Sequence, residues 1–426
     1  MGLKYTVIIS LEAVNNMRGK LLKYNQEHLL AFFDTLSDAE KESLLNDIEL
    51  IDFDLISQLY KNTHSSVALL NGNKGEITPI DCIDKDSLNE EEYGLYYNLG
   101  IQLMRQGKYA ALTMAGGQGT RLGFSGPKGS YFLGEPINQS LFEIQCRRLI
   151  SRNKELGCII PWYIMTSREN DQLTKEFFRE NNYFGYDKDS IFFFKQGFLP
   201  MLLEDGKIVM TDTHSIKLSA DGHGGVFKAT VDSGALADMK QRGVEWIFVG
   251  GIDNILVRLE DPVFLGFLAH NKYKLGGKSL IKRDPYEKAG VFCKRGGKPC
   301  VIEYTEISDD MAQATDNNGN YLYGDLHILC NMFNISVFED MRDCGLEYHV
   351  AHKKTEYIDE NGKLIQVDSP NAYKYEAFMF DAFEYYDNMG ILRVRREEEF
   401  APIKNKEGLD SPQTATELYV ACEMKQ

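Results

Sequence analysis

The strongest chemical signal in the chain is a glycine-rich segment at residues 112–129, which reads L-T-M-A-G-G-Q-G-T-R-L-G-F-S-G-P-K-G. A glycine-rich turn brings backbone N–H groups close to a ligand, because glycine has no side chain to block the approach. Successive N–H groups in such a turn favour anions, and Arg121 and Lys128 add two positive charges to them. The segment therefore predicts a binding site for the phosphates of a nucleotide.

The spacing of this segment excludes two well-known phosphate-binding motifs. The Walker A motif ends in glycine, lysine and then serine or threonine, whereas Lys128 lies between a proline and a glycine. The dinucleotide-binding fingerprint needs G-x-G-x-x-G, whereas Gly117, Gly119 and Gly123 are one residue too widely spaced. An ordinary glycine-rich surface turn is the alternative, but the preceding apolar run and the two basic residues favour a phosphate site.

Asp253 is the predicted metal ligand, and it follows the apolar run I-F-V-G-G-I. A carboxylate at the end of a strand and beside a phosphate site suits Mg²⁺, which takes one or two carboxylates and completes its coordination with phosphate oxygens and water. The alternative is an aspartate that caps the following turn. Beside the phosphate loop, metal binding is the favoured interpretation.

Two further loops contain residues that could contact a nucleotide or a sugar phosphate. Gln196 follows a predicted strand, and its amide could recognise a base edge because it offers both a donor and an acceptor. Gly222 and His223 lie in a second glycine-rich turn, D-G-H-G-G, in which the backbone could approach the ligand and the histidine could donate to a phosphate. The alternatives are a surface amide that is already satisfied and a solvent-exposed loop histidine.

Three charged residues are candidates for binding the sugar or its phosphate. Glu303 interrupts a predicted strand with a carboxylate, which needs hydroxyl or amide donors if it is buried. Lys374 precedes a predicted aromatic helix, and Lys404 follows the charged run 393–399. Charge runs are usually solvated surfaces, so residues 395–399 receive no functional role.

The composition is that of a globular protein without a membrane span. Of the 426 residues, 43% are hydrophobic and 26% are charged, and the chain contains no run of about twenty apolar residues. Residues 1–10 show no secretory signal, and the eight cysteines are scattered without a C-x-x-C pair, which favours a reducing cytoplasm. A net charge of −16 argues against nucleic-acid binding, although a locally basic site can still bind anionic substrates.

The predicted elements form a central α/β region between two smaller segments. Residues 1–94 are predicted to be mainly helical, residues 95–345 alternate strands and helices, and residues 346–426 form a small domain with a helix at Lys374–Tyr386. The candidate strands of the central segment are Ala110–Met114, Trp162–Thr166, Ile191–Phe194, Trp246–Val249, Ser279–Ile281 and Val301–Tyr304. This alternation predicts a doubly wound α/β sheet, whose ligands bind beyond the carboxyl ends of the strands.

Taken together, these segments resemble the UDP-N-acetylglucosamine pyrophosphorylases, a family of sugar nucleotidyltransferases. The resemblance extends from about Gln26 to Lys404 and keeps the order and approximate spacing of the motifs. The motifs are A-G-G-Q-G-T-R-L-G, P-K-G, W-Y-I-M-T-S, F-F-x-Q-G-x-L-P, R-G-V-E-W-I, D-N-I-L-V-R-L-E-D-P, V-I-E-Y-T-E-I-S, P-N-A-Y-K-Y-E-A-F-M-F-D and R-E-E-E-F-A-P-I-K-N. The family implies a central Rossmann-like nucleotidyltransferase domain with a mixed, mostly parallel sheet, an N-terminal helical segment and a small C-terminal α+β domain.

The resemblance also implies an activity. The expected protein is a cytoplasmic, Mg²⁺-dependent uridylyltransferase that makes a UDP-sugar and pyrophosphate from UTP and a sugar 1-phosphate. The first candidate for the acceptor is N-acetylglucosamine 1-phosphate, and the expected mechanism is a direct in-line displacement. Neither nucleic acid nor a membrane is an expected partner, and the oligomeric state is left open.

Carried over by position, the resemblance assigns roles to individual residues. The residues expected to hold the nucleotide are Gly116, Gly117, Gln196, Gly222 and Asp253, with Asp253 also the Mg²⁺ ligand. The residues expected to supply catalytic charge are Arg121, Lys128 and Lys404. The residues expected on the sugar and phosphate side are His223, Gly290, Glu303, His327, Lys374 and Lys404.

Two departures from the family pattern leave the identity of the sugar open. His223 replaces the asparagine of P-D-G-N-G-G, which is similar to the related UDP-glucose pyrophosphorylases, and residues 324–327 replace the family's N-A-G-N. A UDP-glucose, UDP-galactose or broad UDP-sugar pyrophosphorylase is therefore the alternative. A regulator that binds UDP-sugars without catalysis is a second alternative, although the charged residues assigned to catalysis are all present.

Overall fold

The computed structural model of the chain describes residues 11–65 and 75–424. Residues 1–10, in which we recognise no secretory signal, lie outside this description. Among the described residues, no helix combines the length and the apolar character that a membrane crossing requires.

The chain divides into two compact units. The smaller unit takes its described residues from Met1–Asn73, Phe198–Gly222 and Glu347–Phe378, and the larger unit from Lys74–Gly197, His223–Leu346 and Met379–Gln426. These units do not coincide with the three consecutive segments predicted from the sequence, because segments 1–94 and 346–426 each contribute to both of them. Whether the three predicted segments fold independently stays a prediction.

The regular elements are numbered in chain order across the described residues. The α-helices are α1 (Leu11–Lys23), α2 (Asp38–Glu49), α3 (Phe53–His64), α4 (Glu90–Arg105), α5 (Leu141–Leu156), α6 (Asp171–Glu180), α7 (Val226–Asp232), α8 (Ala235–Gln241), α9 (Pro262–His270), α10 (Asp309–Gln313), α11 (Ile335–Cys344), α12 (Arg396–Glu399) and α13 (Pro412–Glu423). The strands are β1 (Ile77–Thr78), β2 (Ile83–Asp84), β3 (Tyr109–Met114), β4 (Phe132–Leu133), β5 (Gln139–Ser140), β6 (Trp162–Thr166), β7 (Ile191–Lys195), β8 (Phe198–Pro200), β9 (Leu202–Leu203), β10 (Leu218–Ala220), β11 (Trp246–Gly251), β12 (Leu275–Ile281), β13 (Val291–Arg295), β14 (Lys298–Ile302), β15 (Asp325–Asn334), β16 (Tyr348–Lys353), β17 (Tyr357–Ile358), β18 (Leu364–Ile365), β19 (Ala372–Ala377) and β20 (Gly390–Arg393).

A mixed sheet forms the centre of the larger unit, with the strand order β2-β20-β12-β15-β11-β3-β6-β7. Neighbouring strands in this order are parallel, except that β15 is antiparallel to both β12 and β11. The strand β13 pairs with β15 and also with β1 and β14. The prediction of a mixed, mostly parallel α/β sheet is confirmed.

The central strands are buried on both faces, which explains their nearly continuous apolar sequences. Every residue of β3, β6 and β11 is buried. The hydrophobic core around them includes the large side chains of Phe142, Trp162, Phe178, Phe248 and Phe264. Burial of these rings, each worth several kcal/mol relative to alanine, fixes the positions of the strand ends from which the candidate site is built.

The smaller unit has its own core and its own sheets. The helices α1–α3 contribute Leu21, Leu44, Ile48 and Phe53 to this core, together with Tyr375 of β19. The strand order of its main sheet is β16-β19-β9, and β8 pairs with β10. The helix α2 begins with a complete capping box, which satisfies backbone donors at its first turn.

The helix predicted at Lys374–Tyr386 is wrong. Residues Ala372–Ala377 form the strand β19, which pairs antiparallel with β16 on one side and with β9 on the other. Met379–Tyr385 form a 3-10 helix that belongs to the larger unit. Aromatic residues are common in strands, and the pairing with strands distant in the sequence decides the conformation here.

A buried ion cluster is centred on Lys278 of the strand β12 in the larger unit. The Lys278 ammonium is fully buried, and its Nζ lies 2.7 Å from Asp261 Oδ2 and 2.5 Å from Glu399 Oε2. Burial alone would lower the pKa of Lys278, but Asp261 and Glu399 raise it above the usual value. Lys85 lies farther out, with its Nζ 3.8 Å from Asp261 and 3.6 Å from Glu399. The cluster therefore joins β12, the start of α9 and the end of α12.

Replacing Lys278 with methionine is expected to lower the free energy of unfolding by about 3–5 kcal/mol, because two buried carboxylates lose their main counter-charge. Lys228→Ala is the matched control, because Lys228 and its partner Asp232 are 72% and 59% exposed and such pairs contribute at most about 1 kcal/mol. Urea unfolding of both variants provides the comparison. Equal losses in the two variants would contradict a structural role for the buried cluster.

Candidate active site

The carboxyl ends of four parallel strands share one edge of the sheet, and predicted site residues follow three of them. The glycine-rich loop follows β3, Gln196 follows β7, and Asp253 follows β11. The register aligns Met114 of β3 with Gly251 of β11 and with Met165 of β6. The sheet therefore places these separate segments together, as expected for the ligand-binding edge of an α/β sheet.

The glycine-rich loop folds back on itself through backbone hydrogen bonds. The N–H of Lys128 donates to the Gly117 carbonyl at 3.0 Å, and the N–H of Gly119 donates to the Gly126 carbonyl at 3.0 Å. Gly129 has no room for a side chain, because a Cβ there would lie 2.1 Å from the ring of Phe142. Core packing and backbone pairing together fix the loop conformation.

Asn170 anchors this loop, and sequence reasoning missed it. Its side chain is fully buried, and its Nδ2 donates to the carbonyls of Ala115 at 2.9 Å and Gly117 at 3.2 Å. Its Oδ1 accepts from the N–H of Ser167 at 2.7 Å. A polar residue just after the strand β6 was the available signal, but the sequence alone does not show that it faces the loop.

Gly116 and Gln196 are brought together as the sequence predicted. A Cβ on Gly116 would lie 2.5 Å from Gln196 Oε1 and 2.8 Å from its Nε2. Only glycine therefore allows the Gln196 amide to lie against the loop. Their assignment to the nucleotide stays a prediction.

Three cations and one carboxylate lie near one another at this end of the sheet. Burial lowers the pKa of Lys128, and the nearby charges of Lys404 and Arg121 lower it further, whereas Asp253 acts to raise it. The side chains of Arg121 and Lys128 make no hydrogen bond or ion pair with the described residues. Lys404 is exposed, and its Nζ lies 3.5 Å from Asp410 Oδ2. This group of charges can accept phosphate oxygens without first breaking a strong internal pair at Arg121 or Lys128.

Asp253 is held by its own backbone rather than by its side chain. The N–H of Ile403 donates to the Asp253 carbonyl at 2.9 Å, and Asn254 pairs with Pro402 in an antiparallel bridge. The Asn254 side chain accepts from Ala401 N–H at 2.8 Å and donates to the Glu399 carbonyl at 2.7 Å. The Asp253 and Lys404 backbones are thereby fixed to the same pair of segments.

The donor set around Asp253 fits Mg²⁺ held together with a nucleotide. Among the residues of the described ranges, the Asp253 carboxylate has no hydrogen-bond or ion-pair partner, and no group of three or more His, Cys, Asp and Glu side chains is arranged to hold a metal. A metal at Asp253 would therefore take most of its ligands from phosphate and water, as Mg²⁺ does. The Mg²⁺ assignment stays a prediction.

A cavity of about 690 Å³ extends from Asp253 across the larger unit. This volume lies within the usual range for small-molecule sites, about 300–1,000 Å³. The predicted site residues that line it are His223, Asp253, Gly290, Glu303, His327 and Lys404. The structure therefore collects most of the predicted sugar-side residues in one cavity.

His223 has a defined tautomer. The backbone N–H of Met379 donates to His223 Nδ1 at 3.0 Å. A backbone N–H can only donate, so Nδ1 carries the lone pair and Nε2 carries the hydrogen. The ring of His223 also lies near Phe380, with 5.5 Å between the ring centroids.

His327 is a neutral histidine in an aromatic environment. Its ring lies edge-on to Phe292, Phe380 and Phe383, with centroid distances of 5.2, 5.7 and 6.1 Å. Burial lowers its pKa to about 4, and the hydrogen bond between Nε2 and Asn331 Oδ1, 3.2 Å long, acts in the opposite direction. His327 therefore offers a neutral imidazole to the cavity at physiological pH.

Glu303 differs from its predicted setting. The strand β14 ends at Ile302, so Glu303 follows the strand rather than interrupting it, and the residue is half-buried rather than buried. A Cβ on Gly290 would lie 2.6 Å from Val301 Cγ1 and 3.3 Å from Glu303 Oε1. Gly290 thus leaves the space in which the Glu303 carboxylate reaches the cavity.

Gly222 and Lys374 belong to the smaller unit, whereas the other predicted site residues belong to the larger unit. Gly222 has φ +90°, and a Cβ there would lie 2.3 Å from the Ala377 carbonyl oxygen. Lys374 Nζ donates to Glu376 Oε1 at 2.7 Å. Their ligand contacts stay predictions.

The interpretation of the charged run 393–399 as a solvated surface holds for Arg395 and Glu397, which are exposed, and is wrong for Glu399. Glu399 is 2% exposed and belongs to the buried ion cluster. Arg396 lines the cavity and pairs with Glu287 at 2.9 Å. Charge runs are usually exposed, but here α12 turns one carboxylate toward the fully buried Lys278.

The sequence model described as UTP–glucose-1-phosphate uridylyltransferase matches residues 54–417. The chain belongs to this family. The human UDP-N-acetylhexosamine pyrophosphorylase-like protein 1 is 36% identical over 424 residues, which cover 95% of this chain and 83% of the human protein. The UDP-N-acetylglucosamine pyrophosphorylase of Saccharomyces cerevisiae is 35% identical over 419 residues, which cover 94% of this chain and 88% of the yeast protein.

A solved structure supports the same family membership. The uridine diphosphate N-acetylglucosamine pyrophosphorylase from Trypanosoma brucei, crystallised in complex with an inhibitor, superposes with a TM-score of 0.84 at 27% sequence identity. The match covers 97% of this chain and 85% of the trypanosomal chain. The resemblance drawn from the sequence motifs is therefore confirmed.

The pKa of His327 links the site to stability. The pKa of His327 falls from 6.5 in the unfolded chain to about 4 in the folded protein. As far as His327 is concerned, the protein therefore keeps its full stability above pH 6.5 and loses stability as the pH falls from 6.5 to about 4, because the folded state disfavours the protonated imidazole. Relative to His327→Gln, the wild-type protein should therefore lose about 3 kcal/mol of unfolding free energy as the pH falls across this range. Urea unfolding of both proteins over this range measures the difference, and a pH-independent difference would contradict the assigned neutral state.

Proposed function

We propose that the protein is a uridylyltransferase that makes a UDP-sugar and pyrophosphate from UTP and a sugar 1-phosphate. The observation that carries this proposal is the group of Arg121, Lys128, Lys404 and Asp253 beside the glycine-rich loop. Membership in the uridylyltransferase family and the names of the relatives support it. UTP would occupy the loop side of the site, and the sugar would occupy the cavity.

In the proposed reaction, a phosphate oxygen of the sugar 1-phosphate attacks the α-phosphorus of UTP in line with the departing pyrophosphate. Phosphoryl-type transfer of this kind depends on positioning and charge stabilisation rather than on covalent chemistry by the protein. Arg121 and Lys128 would hold the leaving pyrophosphate, and Lys404 would hold the incoming phosphate. Because these groups are pre-placed by the backbone, little reorganisation is needed as charge moves.

Mg²⁺ is the proposed cofactor. Asp253 would hold it, and the bound ion would neutralise negative charge on the UTP phosphates. Lys128 lies close enough to Asp253 for the two charges to interact. The Lys128 ammonium and the metal-binding carboxylate would thus act on the same triphosphate.

The proposed acceptor is N-acetylglucosamine 1-phosphate. The names of two relatives support it, those of the yeast and trypanosomal enzymes. In the cavity, Glu303 would accept hydrogen bonds from sugar hydroxyls, and the Nε2–H of His223 would donate to a phosphate or a hydroxyl. Gly290 leaves the space for the ring beside Glu303.

Glucose 1-phosphate is the second candidate acceptor. His223 and His327 stand where the family pattern has asparagines, and an imidazole offers one donor and one acceptor where an amide offers more. The aromatic packing of His327 also leaves its ring little freedom to adapt to a larger substituent. If the enzyme prefers glucose 1-phosphate to N-acetylglucosamine 1-phosphate, these two histidines are the residues that would account for the preference.

The test is pyrophosphate release from UTP and Mg²⁺ with a panel of sugar 1-phosphates. We expect release with N-acetylglucosamine 1-phosphate and a higher kcat/KM for it than for the glucose and galactose compounds. A preference for glucose 1-phosphate would overturn the proposed acceptor but keep the uridylyltransferase. No release with any sugar would support a binding protein without catalysis.

Replacing Lys128 with alanine should lower kcat by about 100-fold or more, because the site loses a charge that acts on the departing pyrophosphate. The KM for the sugar 1-phosphate should change much less. Steady-state kinetics provide the measurement, with the exposed Lys228→Ala as the matched control. Unchanged turnover in the Lys128 variant would remove this residue from the mechanism.

A further inference from the structure

A second pocket, of about 340 Å³, lies in the larger unit and shares no lining residue with the candidate active site. We call it the arginine pocket, because its lining includes Arg147, Arg148, Arg152 and Arg258. The first three come from α5, and Arg258 comes from the segment between Asp253 and α9. The lining also includes the carboxylates of Glu155, Glu260 and Glu423. The four guanidinium groups outnumber these carboxylates, so the pocket is locally positive in a chain with a net charge of −16.

The guanidinium groups of the pocket are only partly satisfied by the protein. Arg148 Nη1 donates to the Val257 carbonyl at 3.0 Å, and Arg152 Nη1 lies 2.5 Å from Glu155 Oε2. Arg152 Nε is buried and has no hydrogen-bond partner among the residues that the structure describes. Arg258 forms no hydrogen bond or ion pair within the part of the chain that the structure describes. Donors therefore remain for a ligand, in the fork geometry that suits phosphate and carboxylate.

Glu260 gives the pocket a second chemical character. Its side chain is 9% exposed, and its Oε2 has no hydrogen-bond partner among the described residues. Burial raises its pKa, although the nearby Arg148, Arg152 and Arg258 act to lower it. A buried polar atom without a partner costs free energy, and such atoms are rare unless a water or a ligand satisfies them. A hydroxyl donor on a ligand would satisfy Glu260.

We propose that the arginine pocket binds a small phosphate ester that carries hydroxyl groups, with the phosphate on Arg152 and Arg258 and a hydroxyl on Glu260. The volume suits a ligand of sugar-phosphate size. The arginine pocket is distinct from the proposed catalytic site. If no phosphate ester binds in the pocket, the proposed uridylyltransferase function is therefore unaffected.

The pocket is joined to the candidate active site by one short segment. Residues 254–261 run from the neighbour of Asp253 to the N-cap of α9 and include both Arg258 and Glu260. Arg148 holds the middle of this segment through the Val257 carbonyl. A ligand on these arginines therefore contacts the same segment that positions Asp253.

The test is calorimetric titration of the full-length protein with glucose 6-phosphate and, separately, with inorganic phosphate. Both are expected to bind, and glucose 6-phosphate should bind more tightly because only it has sugar hydroxyls that can reach Glu260 while its phosphate lies on the arginines. Arg258→Gln and Arg152→Gln should each weaken both ligands about tenfold or more, since a charged bidentate contact is lost. Arg258→Lys should recover part of the affinity.

Two controls separate the pocket from other anion sites. Arg179→Gln alters a 56% exposed arginine on α6 and should leave both affinities unchanged. Glu260→Met should abolish the advantage of glucose 6-phosphate over phosphate. Equal binding by the wild-type protein and both arginine variants would overturn the proposal, because the ligand would then lie elsewhere. The absence of saturable binding up to about 10 mM would overturn it as well.

Discussion

The buried attraction between Lys278 and the two carboxylates of Asp261 and Glu399 is the constraint from which the geometry of the site follows. Each carboxylate stands at the end of a segment that leads to the site. Asp261 ends the segment that begins at Asp253, and its side chain also caps α9 by accepting from the N–H groups of Val263 and Phe264. Glu399 precedes the segment that reaches Lys404. A charged group this deeply buried is strongly unfavourable without its partners, so the two segments cannot separate at low cost.

Contacts between these two segments extend that constraint to Asp253 and Lys404. The Asn254 side chain joins the two segments, and the N–H of Ile403 donates to the Asp253 carbonyl. On the other side, β3 and β11 pair in register, so the glycine-rich loop and Asp253 leave the sheet at the same edge. Asp253 is therefore fixed relative to the glycine-rich loop through the sheet, and relative to the segment of Lys404 through Asn254 and the ion cluster. Such preorganisation is what a positioning mechanism requires.

Local signals in the sequence were enough to predict the sheet and the loop. Strands such as Trp162–Thr166 are short apolar runs with turns on either side, and the glycine spacing predicted a loop after β3. Features decided by distant contacts could not be read in this way. The Lys374 region became a strand because β16 and β9 pair with it, and Glu399 is buried because Lys278 lies opposite it. Asn170 carries no pattern of its own, and only the fold shows that it holds the glycine-rich loop.

The central claim is that the protein positions charges around UTP and supplies no nucleophile. A histidine in the cavity such as His223 could in principle act as a nucleophile through a free ring nitrogen. The Nδ1 lone pair of His223 instead accepts from Met379 N–H, and its Nε2 carries the hydrogen. The stereochemical course at the α-phosphorus tests the claim most directly. With UTP that is made chiral by sulfur at the α-phosphorus, a single displacement predicts inversion of configuration in the UDP-sugar. Retention would require two displacements through a covalent uridylyl intermediate and would contradict the account.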